Sequence, residues 1–163
     1  MATPTYTPLA TLTLASSASS VTFSSIDQSY GDLILVISAN QGAIEGSSGA
    51  YINGDTGSNY SRVRAYANGS STFSDASATR SDLGSISQNS PNQNGLSISH
   101  FMDYSATDKH KTVLTRTNDV DDQVGMFAYR WANTNAVTSI EVFSQTANDF
   151  VVGSTFSLYG VAK

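Results

Sequence analysis

Two histidines, thirteen acidic residues and no cysteine set the chemistry open to this chain. A hydrolytic triad needs a serine, a histidine and a carboxylate in mutual reach, with the nucleophile on a strained turn. Serine is abundant here, so its presence decides nothing. His100 reads as a mid-strand residue on an apolar face, and His110 falls in the charged turn Asp108-Lys109-His110-Lys111. No Gly-x-Ser-x-Gly elbow precedes a helix, so both histidines read as structural and no enzymatic activity is expected. The two histidines are not at zinc-ligand spacing, and the absence of cysteine removes thiolate sites altogether. One run concentrates hard oxygen ligands: Asn118-Asp119-Val120-Asp121-Asp122. Asp119, Asp121 and Asp122 are therefore calcium candidates, although the EF-hand pattern fails for want of the sixth-position Gly and the twelfth-position Glu. An Asp-rich turn between strands is the simpler reading, and no cofactor is expected. Glu45 and Glu141 read as solvated surface charge and form no evident acid pair.

Aromatic residues offer a different chemistry. Phe127, Tyr129 and Trp131 alternate along one strand face. Such a face stacks on sugar rings or packs against a partner subunit, but half of a sandwich core is the simpler reading. These three are interface candidates together with Tyr6 and Pro8. The latter belong to residues 1–8, where Pro4 and Pro8 favour an extended arm able to add to a neighbouring sheet.

The elements that must position these residues are strands. The chain has 163 residues, of which 39% are hydrophobic and only 13% charged, against the ~25% charged that is usual. Small neutral polar residues fill the difference: 27 Ser, 17 Thr, 11 Asn and 12 Gly. Coiled coils and helical bundles need a different composition, and disorder goes with fewer aromatics and more net charge. A net charge of −5 excludes nucleic-acid binding of the basic kind. The longest apolar run, Leu33 to Ile37, is far too short to span a membrane, and Met1 to Thr5 show no leader pattern.

Apolar runs are short, and Gly, Asn, Asp and Ser clusters separate them. Leu33–Ile37 is apolar on both faces and reads as a central strand. Asn53-Gly54-Asp55-Thr56-Gly57-Ser58 reads as a tight turn between two strands of a hairpin, at about 49–53 and 60–66. Residues 68–94 are Ser/Asn-rich and read as a long surface loop, or as an irregular region with one weak strand near Leu83 and Ile86. About ten strands joined by short turns give an all-β fold, an antiparallel β-sandwich with a jelly roll as the expected architecture. A single domain over 9–163 follows the arm at 1–8.

Several ordered blocks resemble one family. They are Tyr6-Thr7-Pro8-Leu9-Ala10-Thr11-Leu12-Thr13-Leu14 followed by Ser20-Val21-Thr22-Phe23, the turn Asn53-Gly54-Asp55-Thr56-Gly57-Ser58-Asn59-Tyr60-Ser61, Met102-Asp103-Tyr104-Ser105 leading to Lys111-Thr112-Val113-Leu114, and Ser154-Thr155-Phe156-Ser157-Leu158-Tyr159-Gly160-Val161. Together they resemble small β-sandwich virion structural proteins of tailed bacteriophages, notably those infecting cyanobacteria. The resemblance implies a capsid decoration, or cement, protein on the outer capsid surface, made in the host cytoplasm. Its partners would be itself, as a homotrimer, and the major capsid protein, with no nucleic acid and no membrane. The stand-alone globular module without a shaft favours that use over the alternative in the same family, a tail-fibre receptor-binding module recognising host surface glycans.

Overall fold

A computed structural model describes residues 4–118 and 123–163. The calcium candidates Asp119, Asp121 and Asp122 lie outside the described residues. Among the described residues there is no helix, and twelve strands are formed: β1 (Tyr6–Thr13), β2 (Ser20–Phe23), β3 (Asp32–Ala39), β4 (Gly46–Ile52), β5 (Tyr60–Ala67), β6 (Thr72–Arg80), β7 (Ser87–Asn89), β8 (Gly95–Met102), β9 (Lys111–Asn118), β10 (Val124–Trp131), β11 (Ile140–Ser144) and β12 (Thr155–Val161).

They build an eight-stranded sheet in the order β1-β12-β3-β8-β9-β10-β5-β6 and a four-stranded sheet in the order β2-β11-β4-β7. Every pairing is antiparallel. The β5–β6 and β9–β10 hairpins are insertions. Without them, the remaining strands, counted along the chain, order as first-eighth-third-sixth and second-seventh-fourth-fifth. That order is the jelly roll. Both inserted hairpins join the larger sheet on the same side, beyond β8, and β10 pairs with β5 to connect them. Half of the larger sheet therefore extends past the ordinary jelly-roll frame.

The core lies between the sheets. Leu33, Leu35 and Ile37 of β3, Phe156 and Leu158 of β12, and Phe101 of β8 point inward from the larger sheet. Val21, Phe23, Ala50, Ile52, Ile140 and Val142 meet them from the smaller one. Over β10 and β5 the cover is irregular. Residues 81–86 run beside β4, with Leu83 and Ala50 exchanging backbone hydrogen bonds at 2.9 and 3.2 Å, and they bury Leu83 and Ile86.

The structure corrects several expectations. Residues 6–8 are not a free arm: Tyr6, Thr7 and Pro8 pair with Val161, Gly160 and Tyr159 as the start of edge strand β1. Proline is admissible there because an edge strand has one unpaired side. Residues 68–94 are not one loop. They contain β6, whose side chains are mostly exposed, and β7, whose Ser87 and Asn89 are buried. An edge strand exposed on both faces needs no apolar alternation, and a buried polar strand shows none.

Strands β4 and β5 do not form a hairpin, because they belong to different sheets. The turn between them begins as expected, with Asn53 at φ 53° and Gly54 at φ 67°, and with the Asp55 N–H donating to Ile52 O at 2.9 Å. Asp55 then carries the chain across the sandwich. Its carboxylate accepts from Trp131 Nε1 at 2.8 Å, Asn59 Nδ2 at 2.9 Å and the Gly57 N–H at 2.9 Å. The Tyr60 hydroxyl donates to Asp55 O at 2.8 Å and accepts from the Ile52 N–H at 3.0 Å.

Burial by itself would raise the Asp55 carboxyl, but the hydrogen bonds from Trp131, Asn59 and Gly57 outweigh it and hold the group below the usual carboxylate range. A depressed folded-state pKa contributes stability above the unfolded value of about 3.9 and loses it as pH falls further. Asp55→Ala is expected to lower unfolding free energy by about 1–3 kcal/mol at neutral pH, because it leaves the Trp131 N–H without its acceptor. The deficit relative to the parent chain should shrink below about pH 4. Urea unfolding followed by Trp131 fluorescence across pH 3–7 measures both effects.

Candidate functional site

The residues with the greatest potential for chemistry by type do not converge. His100 Nε2 lies 2.8 Å from Asp32 Oδ2 on the outside of the larger sheet, and no hydroxyl is hydrogen-bonded to its other ring nitrogen among the described residues. His110 is exposed in the turn before β9. No group of three or more His, Cys, Asp or Glu side chains among the described residues is placed to hold a metal ion. Phe127, Tyr129 and Trp131 are not an exposed interface face. They are only 2%, 2% and 1% exposed, on the inner side of β10. Tyr129 donates its hydroxyl to Gly84 O at 2.6 Å, and burial pushes its pKa up. Lys111, on the inner side of β9, is also buried. Its ammonium donates to Lys109 O at 2.9 Å and Thr134 O at 3.2 Å, and desolvation pulls its pKa down. These groups tie loops to the core. Tyr6 and Pro8 are exposed at the sheet edge.

The unusual surface is the opposite side of the same strands. In β8 the inward residues are Gly95, Ser97, Ser99 and Phe101, while Leu96, Ile98, His100 and Met102 point outward. In β9, Thr115 and Thr117 are inward and Leu114 is outward. In β10 and β5, Val124, Met126 and Val63 are outward. Leu114, Leu96, Val63, Val124 and Met126 are between 42% and 64% exposed. The ordinary arrangement of apolar side chains inward and hydroxyls outward is thus reversed along β8 from Leu96 to Ser99 and at Leu114 and Thr115 of β9.

Pairing register makes these outward residues contiguous. One row runs Tyr159, Ile34, His100, Leu114, Ala128, Val63, Ala76 across seven strands. The next row runs Val36, Ile98, Arg116, Met126, Ala65, Ser74. A groove of about 560 Å³ lies along them, lined largely by these side chains. Arg116 and Arg130 stand on the same face, exposed and without an ion pair among the described residues. Five strands at about 4.8 Å spacing, over roughly 20 Å of length, give a footprint on the order of 450 Å². Patches of that size on a folded chain mark contact surfaces.

The inward side carries a matching cost. Ser99 and Thr115 satisfy each other across the ladder at 2.7 Å. The cross-strand pair Ser97 and Thr117 does not: both hydroxyls are buried without a hydrogen-bond partner among the described residues. The sequence reading placed His100 mid-strand on an apolar face but did not give which way that face points. The available signal was that Phe101, Val113 and Trp131 must share a side with Ser97 and Ser99.

No protein-family model matches the chain, and no curated protein does. Among solved structures it is similar to the galectin LEC-6 of Caenorhabditis elegans, at 9% identity over 94% of this chain and 96% of that one, with a TM-score of 0.37. A likeness this slight carries nothing about function.

Replacing the two unsatisfied hydroxyls with groups of similar shape removes a desolvation cost. Ser97→Ala with Thr117→Val is expected to raise unfolding free energy by about 1–2 kcal/mol. A higher urea midpoint at unchanged slope is the expected result.

Proposed function

We propose that this chain is a non-enzymatic structural protein that assembles with copies of itself, as a homotrimer, through the outer face of its eight-stranded sheet. We further propose that the trimer decorates the outer surface of a phage capsid and stabilises the shell. The inverted polarity of β8, continued at Leu114 and Thr115 of β9, carries the reading. Leucine, isoleucine, methionine and valine side chains are exposed together, while hydroxyl side chains occupy the sandwich interior beneath them. Burying a large side chain from full exposure contributes about 1.5–3 kcal/mol, and the side chains of this face, roughly half exposed, contribute on the order of half that each. Met and Arg are enriched in interface cores, and this face carries Met102, Met126, Arg116 and Arg130.

Arg116 and Arg130 on this face are open to carboxylates of a second copy, the chain having thirteen Asp and Glu against eight Lys and Arg. The estimated footprint is about half of what each partner contributes to a standard-size interface, about 800 Å² of accessible surface, and so corresponds to the apolar centre of a contact completed by a polar rim. The capsid location rests on the phage resemblance. In that setting the trimer stabilises by mass action, because it binds only the assembled shell.

Sedimentation analysis tests the assembly step. The parent chain is expected to sediment as a trimer. Leu114→Asp with Met126→Asp should give a folded monomer, since both positions are exposed in the single chain. A parent chain that stays monomeric at all concentrations overturns the reading. Addition of the trimer to empty capsids should raise their thermal disruption temperature, and the monomeric variant should lack the effect.

A further inference from the structure

A second surface lies on the inner side of the β5–β6 hairpin, where the larger sheet projects beyond β7. Here Arg64, Tyr66 and Phe73 form a three-layer stack. The Arg64 guanidinium carbon lies 4.8 Å from the Tyr66 ring centroid. Tyr66 and its cross-strand partner Phe73 stack at 4.9 Å with an interplanar angle of 17°. Phe73 ends the stack and is 41% exposed. Around it lies a polar pocket of about 320 Å³, bordered also by Asn68, Gln88, Gln123 and Phe127. That volume is at the lower end of the range for small-ligand sites.

The hydrogen-bonding groups at this pocket are neutral and partly unused. The Asn68 carbonyl oxygen accepts from the Ser71 N–H at 3.0 Å, and its amide nitrogen makes no hydrogen bond among the described residues. The Gln88 side chain makes none among them either. Arg64 Nε and Nη2 both donate to Asp75 Oδ2, at 2.7 and 2.6 Å, and Asp75 Oδ1 also accepts from Arg62 Nη2 at 3.4 Å. The Arg64 hydrogen bond holds the Asp75 carboxyl below its usual range, so the carboxylate stays ionised through neutral pH.

We infer that this pocket binds a neutral saccharide, with one pyranose ring stacked on Phe73 and its hydroxyls bonded to Asn68 and Gln88. A sugar ring presents a C–H face that packs on an aromatic ring and a rim of hydroxyls that pair with side-chain amides, each both donor and acceptor. A phosphate-bearing ligand fits poorly, because Arg64 Nε and Nη2 are already committed to the Asp75 carboxylate and the chain is net negative. The pocket is on the opposite side of the sheet from the apolar face, so this site does not depend on the assembly reading.

Nuclear magnetic resonance on the 15N-labelled full chain tests the site. The probes are glucose, galactose and N-acetylglucosamine with their disaccharides maltose, lactose and chitobiose. At least one is expected to shift the side-chain amide signals of Asn68 and Gln88 and the backbone signals of residues 64–74. Phe73→Ala should weaken that binding at least tenfold while lowering the unfolding midpoint only modestly, since the ring lies outside the core on edge strand β6, and Phe73→Leu, which keeps apolar bulk without the aromatic face, should also weaken it. Gln88→Ala should weaken it as well, and Leu114→Asp with Met126→Asp should leave it unchanged. The inference is overturned if none of the six sugars shifts these signals. It is also overturned if Phe73→Ala binds as tightly as the parent, or if oligothymidylate binds the pocket and the sugars do not.

Discussion

The pairing register running from β3 through β8, β9 and β10 decides which side of each strand is sheltered. Leu35 faces Ser99, Ser99 faces Thr115, and Thr115 faces Phe127, all on the inner side. A one-residue slip of β8 and β9 would bring Leu96, Ile98 and Leu114 inside. It would also expel Phe101 and Val113, which the core holds fully buried. The larger side chains win, and the smaller hydroxyls follow them inward by alternation. The exposed apolar face is therefore a direct consequence of how the core is packed.

That constraint links the two candidate surfaces. The jelly-roll frame supplies a covered sandwich over β1, β12, β3 and β8. The inserted hairpins prolong the larger sheet past the end of the smaller one, so β9, β10 and β5 carry functional potential on both sides. Outward, they continue the apolar rows begun by β3 and β8. Inward, past the partial cover of residues 81–86, they leave the Arg64, Tyr66 and Phe73 stack open. One sheet thus offers a flat apolar surface suited to a protein partner and a small polar pocket suited to a soluble ligand.

The turn at Asp55 shows how a single carboxylate holds such an arrangement in place. It gathers donors from its own loop and from Trp131 of β10, fixing the point where the chain leaves the smaller sheet and enters the inserted hairpin. Arg62 plays a related part deeper in the sandwich. Its Nη1 reaches Gly84 O at 3.5 Å, beside the Tyr129 hydroxyl bond to the same carbonyl. The irregular cover over β10 is held by such polar ties to one backbone carbonyl and by the packing of Leu83 and Ile86.

Much of the fold was legible because its signals are local. Strand-length apolar runs, the Asn53-Gly54 turn with both residues at positive φ, and the absence of helical periodicity depend on neighbours a few residues apart. The same local reading left β6 and β7 hidden, because an edge strand open on both faces and a buried strand of Ser and Asn carry no apolar alternation. It also placed β4 and β5 in one hairpin, because a tight turn begins alike whether the chain folds back within a sheet or crosses to another. By itself the sequence determined an all-β chain without thiol chemistry and with period-two strands. Only the tertiary structure decided which side of each strand faces water, and hence that Trp131 is core and Leu114 is surface. The physical reason is that alternation has two equivalent senses, and the choice between them is made by the summed packing of residues far apart in the chain.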